Sequence, residues 1–123
     1  MRMHPVGTLA LFAIIAAGCG SGNDGGNSGG TVACTNVSGT SQTCFEIYAS
    51  NTTAAGIASA KADCTNGSGV ASDLCPRAGA DGACKMDDSQ PGVTASVTTW
   101  YYAGNAVSEM QSCTSGGDTW IAP

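Results

Sequence analysis

The sequence predicts a small α+β domain stapled by three disulfides, arranged as a two-layer sandwich. Three observations carry that expectation. Six cysteines, Cys34, Cys44, Cys64, Cys75, Cys84 and Cys113, fall within residues 31–123. Strand-like and helix-like stretches alternate there in the order β-α-β-β-α-β. The same stretch is poor in Leu, Ile and Phe, so a domain of this size buries a modest core and depends on cross-links. Each disulfide contributes ~2–4 kcal/mol against a usual total of ~5–15 kcal/mol.

Each element has a local reason. Between Gln42 and Ala49, Phe45 and Ile47 alternate with Glu46 and Tyr48, the period of a strand. Asn51 or Thr52 is placed to cap a helix over Thr53–Asp63, a stretch rich in Ala, Ser and Lys that ends at Asn66-Gly67-Ser68-Gly69. A Gly- and Asp-rich loop runs on to Ala80, and Gly82–Met86 reads as a short strand. Gln90-Pro91-Gly92 suits a type II turn, with Pro fixing one φ and Gly supplying the positive one. Val93–Tyr102 is almost entirely β-branched or aromatic, the strongest strand signal in the chain. Asn105–Ser112 reads as helix and Asp118–Ile121 as a last strand.

A faint repeat runs through this order. Tyr48-Ala49-Ser50-Asn51 precedes a helix that ends in Cys64-Thr65-Asn66-Gly67, and Tyr102-Ala103-Gly104-Asn105 precedes one that ends in Cys113-Thr114-Ser115-Gly116. A true repeat would lay the two helices side by side on one sheet face. Cys64 and Cys113 could then pair, leaving 75–84 and 34–44. A sequential scheme of 34–44, 64–75 and 84–113 fits the spacings equally well, because six cysteines allow fifteen connectivities.

The N-terminus reads as an address. Arg2 and His4 precede an apolar or small run from Val6 to Gly18. As a helix it would reach about 20 Å, short of a ~30 Å hydrocarbon core, which is the anatomy of a secretory signal peptide over residues 1–18. The string Ile15-Ala16-Ala17-Gly18-Cys19-Gly20 resembles the lipobox of bacterial lipoproteins, departing from it at Ala16, where a larger aliphatic residue is usual. The resemblance implies that Cys19 is acylated, with palmitate or a similar chain, and becomes the mature N-terminus. Seven cysteines are present in all, so setting Cys19 aside leaves an even number for disulfides. Residues 19–30 then form a Gly/Ser/Asn linker with a reach of roughly 17–20 Å. Gly20 in place of an Asp implies transfer to the outer membrane. With its linker and Cys-rich domain, the whole chain resembles small Gram-negative lipoproteins of the cell envelope.

Composition narrows the partners. A net charge of −5 disfavours nucleic acid and leaves the lipid on Cys19 as the expected contact with the membrane. The only histidine is His4, no cysteine pair has CxxC spacing, and no Walker sequence is present. Ser-His and Cys-His catalysis, His-bearing zinc sites and phosphate loops are therefore not expected. Asp87-Asp88 precede Ser89-Gln90-Pro91 and read as turn chemistry. Glu46 and Glu109 lie on elements that nothing in the sequence brings together. The expectation is a non-enzymatic domain without a metal or other cofactor.

Alternation places Phe45, Ile47, Val93, Ala95, Val97 and Tyr101 on one sheet face, under the helices. Glu46, Tyr48, Thr94, Ser96, Thr98, Trp100 and Tyr102 share the other face. That second face either packs inside the domain or offers Tyr48, Trp100 and Tyr102 to a glycan. A third reading comes from Cys75-Pro76-Arg77 in the CPRAGADGAC loop, which resembles the reactive loop of small disulfide-rich protease inhibitors and would present Arg77 to a trypsin-like pocket. The leading expectation is a structural or partner-binding envelope lipoprotein that engages an envelope protein. A glycan- or peptidoglycan-binding module comes second.

Overall fold

A computed structural model describes residues 29–123, so Cys19, the signal segment and most of the linker lie outside the described residues. Strand β1 (Gly30–Ser38) turns directly into β2 (Ser41–Ala49), with every residue from Gly30 to Ser38 paired antiparallel to its partner. The two-residue turn needs a positive φ at its first position, and Gly39 supplies it at +61°. Helix α1 (Ala54–Asn66) and strand β3 (Val70–Ser72) follow. Then come β4 (Gly82–Asp87), β5 (Ala95–Tyr101), helix α2 (Ala106–Ser115) and β6 (Thr119–Ile121). The six strands form one antiparallel sheet in the order β3-β1-β2-β5-β4-β6.

An α+β fold with three disulfides is thus present, but the expected order β-α-β-β-α-β lacks two strands. β1 and β3 escaped because their side chains are small and carry no alternation. In β1, Val32, Ala33 and Cys34 are buried in succession, so both faces are covered and the polar half of the pattern is missing. The cap of α1 is Thr53, one residue later than expected, and its Oγ1 accepts from the Gly56 N–H at 3.1 Å. The turn at Gln90-Pro91-Gly92 forms as read, with Gly92 at φ +81° and Gln90 and Val93 exchanging backbone bonds at 2.9 Å.

The faint repeat corresponds to a structural one. β1-β2-α1-β3 and β4-β5-α2-β6 have the same element order, and the sheet order reads the same from either edge when the halves are exchanged. Phe45 faces Thr99 across the junction, and Cys44–Trp100 on one side answers Glu46–Thr98 on the other. The helix exits share several bonds. The Gly69 N–H donates to the Cys64 carbonyl at 2.9 Å and that of Asp118 to the Cys113 carbonyl at 3.2 Å. The Thr65 and Thr114 hydroxyls donate back to the carbonyls of Lys61 and Met110.

Cys34–Cys64 fastens α1 to β1, and Cys84–Cys113 fastens α2 to β4. These bridges are equivalent under the repeat. Cys34, Phe45, Thr99 and Cys84 form one row across the sheet, so both helices cover the same face, α1 over β1 and β3 and α2 over β4 and β6. A 64–113 bridge is therefore replaced by one bridge within each half. The third, Cys44–Cys75, has no counterpart and draws the connection between the halves onto the opposite face. Of the pairs considered from the sequence, only 84–113 is formed.

Close packing at the first bridge accounts for one glycine. A Cβ on Gly69 would lie 2.6 Å from Cys34 Sγ and 2.8 Å from Cys64 Sγ, so β3 approaches the disulfide only because that side chain is absent.

Candidate functional site

Alternation along β2 and β5 places Glu46, Tyr48, Ser96, Thr98 and Trp100 together on the face away from the helices, as expected, but half of that face is not open. The 73–81 segment, held by Cys44–Cys75, lies across it. Ala33, Cys44, Cys75, Ala83 and Trp100 form a buried cluster there, with Ala80, Tyr102 and Ile121 packed around it. Trp100 is 5% exposed, so its ring is not available for stacking on a sugar. Burial under the connecting segment corrects that part of the aromatic-face reading.

The cover is fastened by polar contacts. The Arg77 guanidinium sits 3.8 Å from the Trp100 ring centre and donates to Glu46 Oε1 at 2.6 Å. The Cys75 N–H donates to the same oxygen at 2.8 Å. Glu46 is the more enclosed partner, with 12% of its side chain exposed against 50% for Arg77. The Tyr102 hydroxyl donates to the Pro76 carbonyl at 2.6 Å, and burial raises its pKa, the nearby Arg77 charge acting the other way. Tyr102 is therefore engaged by the segment, and Arg77 is folded onto Trp100 instead of standing out as an inhibitor's reactive side chain would.

Tyr48 has a different setting. It lines a cleft of about 470 Å³ together with Lys85, Asp87, Ser89, Thr94, Ala95, Ser96, Gly117, Asp118 and Thr119. The residues come from both central strands, from β4 and from the entry to β6. Asp87 begins a turn by accepting from the Ser89 N–H at 2.9 Å, as the sequence suggested. Bonding from the Ser89 side chain, then that backbone bond and the charge of Lys85, hold its carboxyl below the usual range. Ser89 Oγ also meets the backbone of Ala95, donating to its carbonyl at 3.3 Å and accepting from its N–H at 3.1 Å. Among the described residues no hydrogen bond or ion pair engages the side chains of Lys85, Ser96, Asp118 or Thr119. Extending alternation from β5 into β4 would have set Lys85 and Asp87 beside Tyr48. The contribution of β6 depended on a strand pairing that the sequence did not reveal.

Glu46 and Glu109 lie on opposite sides of the sheet, so they form no carboxylate pair. Glu109 instead meets Asp81 near the start of α2. Burial, the Asp81 charge and a bond to that carboxyl raise the Glu109 pKa, and its Oε2 is shielded from solvent without a partner. Asp81 is itself held by the Gly104 N–H at 2.7 Å. Because the folded protein holds the Glu109 proton more tightly than the unfolded chain does, this pair favours folding in acid. That contribution is lost as pH rises from the ordinary value of ~4.3 through the higher folded one. Glu109→Gln should accordingly raise the melting temperature at pH 7 and flatten its fall between pH 4 and neutrality. Thermal unfolding of both proteins across that range checks this, and a lower melting temperature for the variant at pH 7 would refute it.

No group of three or more potential metal ligands occurs among the described residues. Comparison with family models, curated proteins and solved structures finds no match.

Proposed function

We propose that the chain is an exported lipoprotein, acylated on Cys19 and tethered through residues 19–30 to the bacterial outer membrane. Its Cys-rich domain is a non-enzymatic structural or partner-binding module. The observation that supports this best is the cysteine arrangement. Three bridges use Cys34, Cys44, Cys64, Cys75, Cys84 and Cys113, a pattern at home in an oxidising compartment, and Cys19 is left over for another use. Glu46 is spent on fastening the 73–81 segment.

The test is the intact mass of the protein extracted from membranes, before and after reduction and alkylation. A chain that starts at Cys19, carries acyl groups and shows six new thiols only after reduction is the expected result. A soluble, unacylated species cut elsewhere would overturn the anchor.

A glycan- or peptidoglycan-binding role is the second reading. It is favoured by one observation, the polar cleft beside Tyr48, and it no longer draws on Trp100 or Tyr102. Co-sedimentation of the full chain with purified sacculi tests it, and failure to sediment would remove it.

A further inference from the structure

The pseudo-symmetry of the domain singles out the cleft. Under exchange of the halves, Lys85, Asp87 and Thr119 correspond to Thr35, Val37 and Val70, and Ser96 corresponds to Gln42. The two valines are 67% and 68% exposed. One backbone plan therefore carries an apolar flank on one side and a charged, hydroxyl-lined hollow on the other. The second is concave, and its volume of about 470 Å³ falls within the ~300–1,000 Å³ usual for small-ligand sites.

The lining selects a ligand class. An apolar molecule would cover the Lys85 ammonium, the Asp118 carboxylate and the Ser96 and Thr119 hydroxyls without replacing their bonds to water, at a cost for each. A phosphate or other anion would meet two carboxylates, Asp87 and Asp118, against one ammonium. A lone cation would meet that ammonium. A ring bearing several hydroxyls is suited to all of these groups at once. Each hydroxyl donates to a carboxylate or accepts from an ammonium, and each can do either with Ser96 or Thr119. The Tyr48 ring adds an aromatic surface for the ring's C–H face.

We propose that this cleft binds a short saccharide, with Asp87 and Asp118 accepting from its hydroxyls, Lys85 donating to it and Tyr48 supporting one ring face. The inference rests on the glycan-binding reading above and assigns it a site and a ligand.

The experiment uses the full chain in detergent, isotopically labelled and titrated with a tetramer of N-acetylglucosamine and, separately, with maltotetraose. Co-sedimentation with sacculi is run in parallel. The expected result is that at least one sugar shifts the amide signals of Tyr48, Lys85, Ser96 and Thr119, and that Lys85→Ala combined with Asp118→Ala weakens its binding at least tenfold. The signals of the buried cysteines should stay in place in that variant, which shows that it is folded. Sugar binding that survives the double substitution overturns the assignment of the cleft and leaves the glycan reading standing. Sedimentation with sacculi but no shift with either sugar overturns the saccharide assignment alone. Neither sedimentation nor sugar binding overturns both.

Discussion

Full reduction of the domain under otherwise native conditions should unfold it. The three bridges together contribute roughly 6–12 kcal/mol, comparable with the whole stability of ~5–15 kcal/mol expected for a small domain. The packing they reinforce is thin, for Cys64 is the only buried residue of α1 and Cys113 the only one of α2. Without its bridge each helix would have little to hold it against the sheet. Circular dichroism before and after reduction reads the outcome, and peptide mapping of the oxidised protein should return the pairs 34–64, 44–75 and 84–113. Native-like spectra with six free thiols would show that the sheet stands without its staples.

The second large effect is expected at Trp100. Trp100→Ala should cost about 3–5 kcal/mol, the range for removing a large buried aromatic side chain. The substitution removes the floor on which Arg77 lies and a central member of the cluster that holds the 73–81 segment. Trp100→Phe should be much milder. It retains an aromatic face for the guanidinium, and the buried Trp100 Nε1 has no hydrogen-bond partner to lose. Urea unfolding of the two variants separates these outcomes, and equal losses would mean that the indole nitrogen matters in a way the contacts do not explain.

What could be read from the sequence was whatever depended on local pattern. The strands at Ser41–Ala49 and Ala95–Tyr101, both helices and the division of residues between the two faces all follow from period and turn chemistry. β1 and β3 could not be read in this way, because β1 is covered on both sides and so shows no alternation, and β3 is three residues long. The fate of Trp100 could not be read either. Alternation placed it on the second face, but whether that face meets water depends on Cys44 pairing with Cys75, 31 residues away. The cleft was only partly legible for the same reason, since Asp118 and Thr119 reach it through the pairing of β6 with β4. The repeat was visible as two short similar strings, and the symmetry behind it needed the register of all six strands.

The place where the chain enters the sheet has a mechanical consequence. Gly30 begins β1, which is hydrogen-bonded to β2 on one side and to β3 on the other, so the preceding chain is joined to an interior strand. If residues 19–30 act as the proposed tether, a pull along them would load the long β1–β2 ladder, with many bonds sharing the force, instead of peeling an edge strand one bond at a time. Four residues past Gly30 the load reaches Cys34 and passes through its bridge into α1. A domain moored in this way would be expected to withstand tension on its tether better than its small core suggests.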